Sequence, residues 1–199
     1  MKSSIGLLFF LLCSSCGYHY TSYEGDKNPL SISVPYVQGD SDALFNSELI
    51  YQLSCSQEFS YVQSGGDLIL KVKFLSDVHD RIGFRYDRDN PKGTLEKNLL
   101  GVEDRRIVIA EVSLLDAVSG RVLLEPTQVT AFADYDYTDP GSPRDLLFAK
   151  KQPIIKFSLG QLDSSEGAHD DASRPLFRKL SQKIVMGLLN KLPEIREDG

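Results

Sequence analysis

Residues 105–116 read Arg-Arg-Ile-Val-Ile-Ala-Glu-Val-Ser-Leu-Leu-Asp, followed at 117–120 by Ala-Val-Ser-Gly. Val108, Ala110, Val112 and Leu114 recur at every second position, the period of a strand with one buried face. The 117–120 segment has the small residues and the glycine of a hairpin turn. Residues 122–133 then resume an extended pattern, in which Pro126 marks a bulge or an edge position. This strand–turn–strand unit is the anchor of the fold.

Working outward, residues 68–75 place Leu70, Val72 and Phe74 on one side and Lys71 and Lys73 on the other, a strand with one wet face. A Gly65-Gly66-Asp67 turn introduces it, and Tyr61-Val62 is a short extended piece before that turn. Residues 30–37 alternate Leu30, Ile32 and Val34 with Ser31 and Ser33, and Pro35 near the end suggests an edge or a terminus. Between these strands, Leu44, Phe45, Leu49, Ile50 and Leu53 fall at three- and four-residue steps, a helix that Ser41-Asp42 can cap and that ends near 56–58. A second helix starts at Ser173 and Pro175, carries Leu176, Leu180, Ile184 and Leu188 at four-residue steps, and stops at Pro193. Two amphipathic helices need a sheet face to cover. The pattern predicts an α+β fold, a two-layer sandwich of two helices on a roughly four-stranded mixed sheet.

Two stretches lack a period. Residues 77–104, rich in Asp, Arg, Gly and Pro, read as a long loop insertion between strands. A second loop insertion spans 134–172. It contains a short helical stretch at 145–151 and the polar run from 163 to 173, which has little to bury and reads as mobile.

The N-terminus stands outside this pattern. Lys2, an apolar run over 5–12 and then Ser14-Ser15-Cys16 make a secretory signal over 1–15, too short for a permanent membrane span. A Cys after two small residues at the end of such a run has the pattern of a bacterial lipobox. Cys16 is then the lipidated first residue of the mature chain, and 16–29 is a tether to a single domain over 30–195. Cys13, preceded by bulky Leu12, fits the modified position poorly, although it stands where a lipobox usually has Leu. Several acyl chains on Cys16 hold a protein stably at a membrane, where one chain does so only marginally. Gly17 after Cys16, in place of an Asp, points to the outer rather than the inner membrane. Cys55, left without a partner, reads as a small buried hydrophobe.

Composition bounds the rest. Of 199 residues 41% are hydrophobic, enough for a core, and 22 Lys+Arg against 28 Asp+Glu give a net charge of −6. Loss of Lys2 with the signal leaves −7. That balance argues against a general nucleic-acid binder.

The order of these motifs resembles the LPS-assembly lipoprotein family LptE, partner of the outer-membrane β-barrel LptD in lipopolysaccharide (LPS) transport. The matching residues are Cys16-Gly17-Tyr18-His19 at the mature N-terminus and a first strand ending Ile-x-Val-Pro-Tyr. A Gly-Gly-Asp-Leu turn follows, then Ile82-Gly83-Phe84-Arg85-Tyr86-Asp87-Arg88-Asp89, then Leu115-Asp116-x-x-Ser119-Gly120-x-Val122-Leu123. A closing helix carries Leu189-Asn190-Lys191-Leu192-Pro193. The resemblance spans nearly all of 16–195. Departures are Cys13, extra residues between Asp89 and Arg105, and the acidic insertion before the last helix. The resemblance implies a two-helix, four-stranded sandwich that plugs the LptD lumen, and LPS contacts at Arg85 and Lys150, with Arg81, Arg88 and Lys151 beside them. Guanidinium and ammonium groups suit phosphorylated headgroups. Pairing with Asp80, Asp87 and Asp89 is the alternative use of those cations.

No cofactor or metal is expected: His19, His79 and His169 lack ligand spacing. Gly65-Gly66 is not followed by the Gly-Lys-Ser/Thr of a phosphate loop, and no Gly-x-Ser-x-Gly or Ser-x-x-Lys occurs, so the expectation is a protein that is not an enzyme. Tyr135 and Tyr137 read as strand-end packing. The alternative to a translocon component is a structural or adhesive envelope lipoprotein.

Overall fold

The computed structural model describes residues 28–88, 95–137 and 165–198. Its elements in chain order are β1 (Leu30–Ser33), α1 (Leu44–Cys55), β2 (Phe59–Tyr61), β3 (Leu68–Arg88), β4 (Leu95–Asp116), β5 (Val122–Asp136) and α2 (Ser165–Asp198). They form an α+β fold in which the two helices pack on a five-stranded mixed sheet of order β2-β1-β3-β4-β5. β1 runs parallel to β2 and β3, while β3, β4 and β5 are antiparallel neighbours. The fifth strand is β2, whose three residues are too few to show a period in the sequence.

The core lies between the sheet and the helices. Ile32, Leu70, Val108, Ala110, Leu114 and Ala131 point up from the sheet, and Phe45, Leu49, Leu53, Leu176, Leu180 and Leu188 point down from the helices, all nearly without solvent contact. Each large side chain buried this way contributes roughly 1.5–3 kcal/mol. Phe45, Phe74 and Phe177 meet at its centre, with ring centroids 5.1, 5.8 and 6.0 Å apart. Gly39, at φ +98°, lies against this cluster, and a Cβ there would fall 2.9 Å from that of Phe74. α1 is capped not by Ser41 or Asp42 but by Asp40, whose carboxylate accepts the N–H groups of Phe45 (3.4 Å) and Asn46 (2.8 Å). Ser41 instead donates to Asp42. Cys55 is exposed at the end of α1, not buried.

Two corrections concern the aperiodic stretches. Residues 77–88 and 95–104 are strand, the outer halves of β3 and β4, rather than loop. A bulge between Phe74 and Ser76 hides the alternation. Before it the helix-facing residues of β3 are Leu70, Val72 and Phe74. After it they are Asp77, His79 and Arg81, opposite Val108, Arg106 and Asp104. The parity changes and the inward residues become polar together, so no period survives. Within the second stretch, β5 runs to Asp136 and α2 already begins at Ser165. Buried Ala168 and Ala172 extend the four-residue step of Leu176 and Leu180 backwards, and Leu192 and Ile195 carry it past Pro193. Alanines gave a weak apolar signal, and packing on the sheet outweighs the cost of Pro175 and Pro193 inside the helix. The expected helical stretch at 145–151 lies outside the described residues.

β5 is an edge strand, and Pro126 sits where its register with β4 shifts, between the pairs Val112↔Thr127 and Leu114↔Leu124. Lys179 and Lys183 of α2 reach over this edge and donate to the carbonyls of Phe132 (3.4 Å) and Thr130 (2.7 Å). They cover the acceptors that another strand would pair with.

Candidate functional site

The last β4–β5 pairing is Glu103 with Asp136, yet β3 and β4 continue together to the pair Arg88↔Leu95. Among the described residues the outer hairpin is thus a two-stranded ribbon, and it carries three of the sequence-predicted cations. Arg81 lies at its root, Arg85 in its middle opposite Leu100, and Arg88 at its end. Lys150, Lys151 and Cys16 lie outside the described residues.

Arg81 is held in place. Its Nε donates to Asp104 Oδ1 at 3.4 Å, and Tyr137 donates its hydroxyl to the same oxygen at 3.2 Å. Asp104 and Tyr137 are buried, while the Arg81 side chain stays about half exposed. Burial pushes the Tyr137 hydroxyl pKa up, and Asp104 adds to the rise, so it remains a donor at neutral pH. Arg81 lies flat across Gly101, where a Cβ would come within 2.5 Å of its Cδ and Nε. The partner of Arg81 is therefore Asp104 on the facing strand, not the neighbouring Asp80.

On the ribbon, Phe84 faces Gly101 and Tyr86 faces Leu99. Phe84, Tyr86 and Leu99 are each more than half exposed. A two-stranded ribbon is marginal in water by itself, and large exposed apolar side chains on one are the mark of a surface that meets something else.

Behind the ribbon's root lies a polar layer beneath the first turns of α2. Arg106 forks onto Asp77 (2.9 and 2.6 Å) and donates to Ser173 at 2.6 Å. His79 and His169 face each other with ring centroids 6.3 Å apart, and Tyr135 packs on His169 at 5.9 Å. Sequence distance had hidden that proximity. Among the described residues, no group of three or more His, Cys, Asp or Glu gathers as a metal site. On the opposite face of the sheet, Arg105 pairs with Asp134 at 2.6 and 2.8 Å and lies 4.5 Å above the Phe132 ring. Sequence reasoning missed Asp104, Gly101 and Arg106, because their roles depend on a register that only the paired strands reveal. Tyr137 was visible as strand-end packing but not as a donor.

No family model matches the chain, and no curated protein matches it. Solved structures that resemble it include a minor lipoprotein from Acinetobacter baumannii, 15% identical, covering 79% of this chain and 87% of that one at a TM-score of 0.42. The rare lipoprotein B from Shewanella oneidensis is 12% identical, with coverage of 83% and 98% and a TM-score of 0.45. A protein from Xanthomonas campestris is 10% identical, with coverage of 85% and 88% and a TM-score of 0.47. Two of these three are named as lipoproteins. At such scores the likenesses carry no weight for the site residues. No helix among the described residues is long and apolar enough to cross a membrane.

Proposed function

We propose that the chain is an envelope lipoprotein, anchored through Cys16 at the outer membrane, whose domain seats in the lumen of an LptD-type β-barrel and assists insertion of LPS into the outer leaflet. The observation that carries this reading is the outer hairpin of β3 and β4. It offers Arg81, oriented by Asp104 and Tyr137, and Arg85 from a ribbon that also bears exposed Phe84, Tyr86 and Leu99. Apolar side chains of this kind can meet a barrel wall, and the guanidinium groups can meet a phosphorylated headgroup. The signal and lipobox pattern ending at Cys16, and the order of motifs shared with the LptE family, support the same reading. The action is non-covalent: occupy the lumen, hold the barrel's shape and present cations to the passing anion.

Two measurements test it. A tagged chain purified in mild detergent is expected to bring down a large β-barrel in stoichiometric amount; recovery of peptidoglycan alone, or of no partner, refutes the barrel assignment and favours a structural envelope module. The combined change Arg81→Asp, Arg85→Asp and Lys150→Asp is expected to weaken LPS binding, and unchanged binding refutes the headgroup assignment.

A further inference from the structure

The face of the sheet that no described helix covers carries a second, separate feature. Residues 34–38 run beside β3, fixed by the N–H of Phe74 donating to the carbonyl of Gln38 at 2.9 Å. Val34 and Val37 are buried, whereas Tyr36 between them is turned outward and 76% exposed. Lys71 and Lys73 project from β3 on that same face, because Leu70, Val72 and Phe74 take the core side. In register, Lys71 is opposite Ser113 and Lys73 is opposite Glu111. Pro35, Tyr36, Gln38, Lys71, Lys73, Glu111 and Ser113 together line a groove of about 400 Å³. That volume is in the range of small-ligand sites, which run from ~300 to 1,000 Å³.

The groove has a particular chemistry. The two lysines leave the strand about 7 Å apart, two residues along it on one face, and among the described residues neither has an ion-pair partner. They call for an anion. Glu111, however, sits beside Lys73 and repels a bare phosphate while accepting hydrogen bonds from hydroxyls. Gln38 and Ser113 supply further polar partners of the kind hydroxyls use. Tyr36 offers a flat, rigid, half-apolar face suited to the C–H side of a sugar ring. We infer that this groove binds an anionic saccharide, with the ring on Tyr36, the hydroxyls on Gln38, Glu111 and Ser113, and a phosphate or carboxylate between Lys71 and Lys73. A nucleic acid fits poorly on a chain of net charge −6, and an aliphatic ligand would leave two ammonium groups unmatched. The site lies on the face opposite Arg81 and does not rest on the translocon reading.

The anion could belong to a lipid-borne saccharide or to a wall glycan, and the probes separate these sources. The mature chain is titrated by calorimetry, and by amide shifts in NMR, with a phosphorylated glucosamine disaccharide, a muramyl disaccharide bearing a carboxylate, and a neutral disaccharide of the same length. Binding of either charged probe, at least about tenfold tighter than the neutral one, with shifts centred on 36–38, 71–73 and 111–113, is the expected result. The tighter of the two charged probes identifies the source. Tyr36→Ala and the pair Lys71→Ala/Lys73→Ala are each expected to weaken binding about tenfold, whereas Lys191→Ala, at an exposed position on α2 outside the groove, leaves it unchanged. All three positions are exposed, and an unchanged melting curve checks that the variants fold. Failure of both charged probes to bind, equal binding of the neutral one, or wild-type affinity in the Tyr36 and Lys variants overturns the assignment.

Discussion

Arg106 and Arg105 are adjacent in sequence and make the same forked contact with an aspartate, yet replacing them should have very different consequences. The Arg106 side chain is 10% exposed and Asp77 is 35% exposed, with contacts of 2.9 and 2.6 Å. Arg106 also donates to Ser173 at 2.6 Å and lies 5.5 Å from the Phe177 ring centroid. The change Arg106→Met keeps most of the apolar volume but removes every donor. Stripping one partner from a buried ion pair costs about 3–5 kcal/mol, and water can reach Asp77 at its open side, which places this pair at or below the low end. Ser173 loses a charge-assisted hydrogen bond, about 1.5 kcal/mol more at most. A net loss of about 3 kcal/mol is expected, which for a domain of this size lowers Tm by roughly 6–12 °C. Arg105 and Asp134 are 37% and 36% exposed, so solvent screening leaves their pair little value and Arg105→Met should cost far less than Arg106→Met. Urea unfolding followed by circular dichroism measures both. The double change Arg106→Met/Asp77→Leu should recover most of the loss, since no buried charge is then left unmatched. Equal losses for the Arg105 and Arg106 variants, or no recovery in the double variant, would refute the reasoning that burial sets the value of these pairs.

The same unfolding assay checks two further expectations. Phe45→Ala removes one ring from the Phe45–Phe74–Phe177 cluster and should cost about 3–5 kcal/mol without changing the urea dependence of unfolding; a loss under about 1 kcal/mol would mean that the site collapses freely. Asp116 accepts the Ser119 N–H (2.6 Å), the Ser119 hydroxyl (2.9 Å) and the Val118 N–H (2.9 Å), and these bonds, Ser119's first, hold its carboxyl below the usual aspartate range. A group whose folded pKa is depressed stabilises above its unfolded value, about 4, and loses that contribution as pH falls through the lower folded value. The urea midpoint of the parent should therefore fall more steeply below about pH 4 than that of Asp116→Asn, and parallel pH profiles would count against the turn's role.

The inner half of the domain was legible because its alternation is uninterrupted. Leu70, Val72 and Phe74 on β3, and Val108, Ala110 and Val112 on β4, are apolar on one side only, and both helices show their large residues at helical steps. The outer half was not legible, for a specific reason. Across the Phe74/Ser76 bulge the inward position moves from even to odd numbers, and Asp77, His79 and Arg81 then occupy it. Their place on the helix side is made tolerable by partial solvent access and by Arg106, Ser173, His169 and Asp104, which arrive from other parts of the chain. A reading that scores apolarity along one segment cannot see compensation supplied by another. Arg81 and Arg85 were picked out by resemblance and do stand on one hairpin, but Asp104 as the partner of Arg81 required the register. Lys71 and Lys73 were read only as the wet side of a strand, and the aromatic wall beside them comes from a segment that showed itself only as a strand end.

The bulge also explains how one strand serves two purposes. Without it, the even positions of β3 would remain inward along its whole length, carrying Val78 toward α2 and turning Asp77 and His79 to the opposite face. The hairpin would then be covered by a conventional apolar core, and Arg81 would point away from Asp104. With it, the apolar contacts end at Phe74, and the first turns of α2, where Ala168 and Ala172 bring the backbone close, settle on a polar layer instead. The two faces separate accordingly. Beyond the bulge on the helix side Arg81 is oriented by buried Asp104, whereas Lys71 and Lys73 before it, on the other face, have no ion-pair partner among the described residues. A cation already paired to a buried carboxylate presents only its remaining N–H groups, in a fixed direction, to an anion. Unpaired ammonium groups can follow a ligand and exchange it readily. The sheet thus carries one rigid and one adaptable set of positive charges on a chain whose net charge is negative, and local placement rather than total charge decides which anions it can meet.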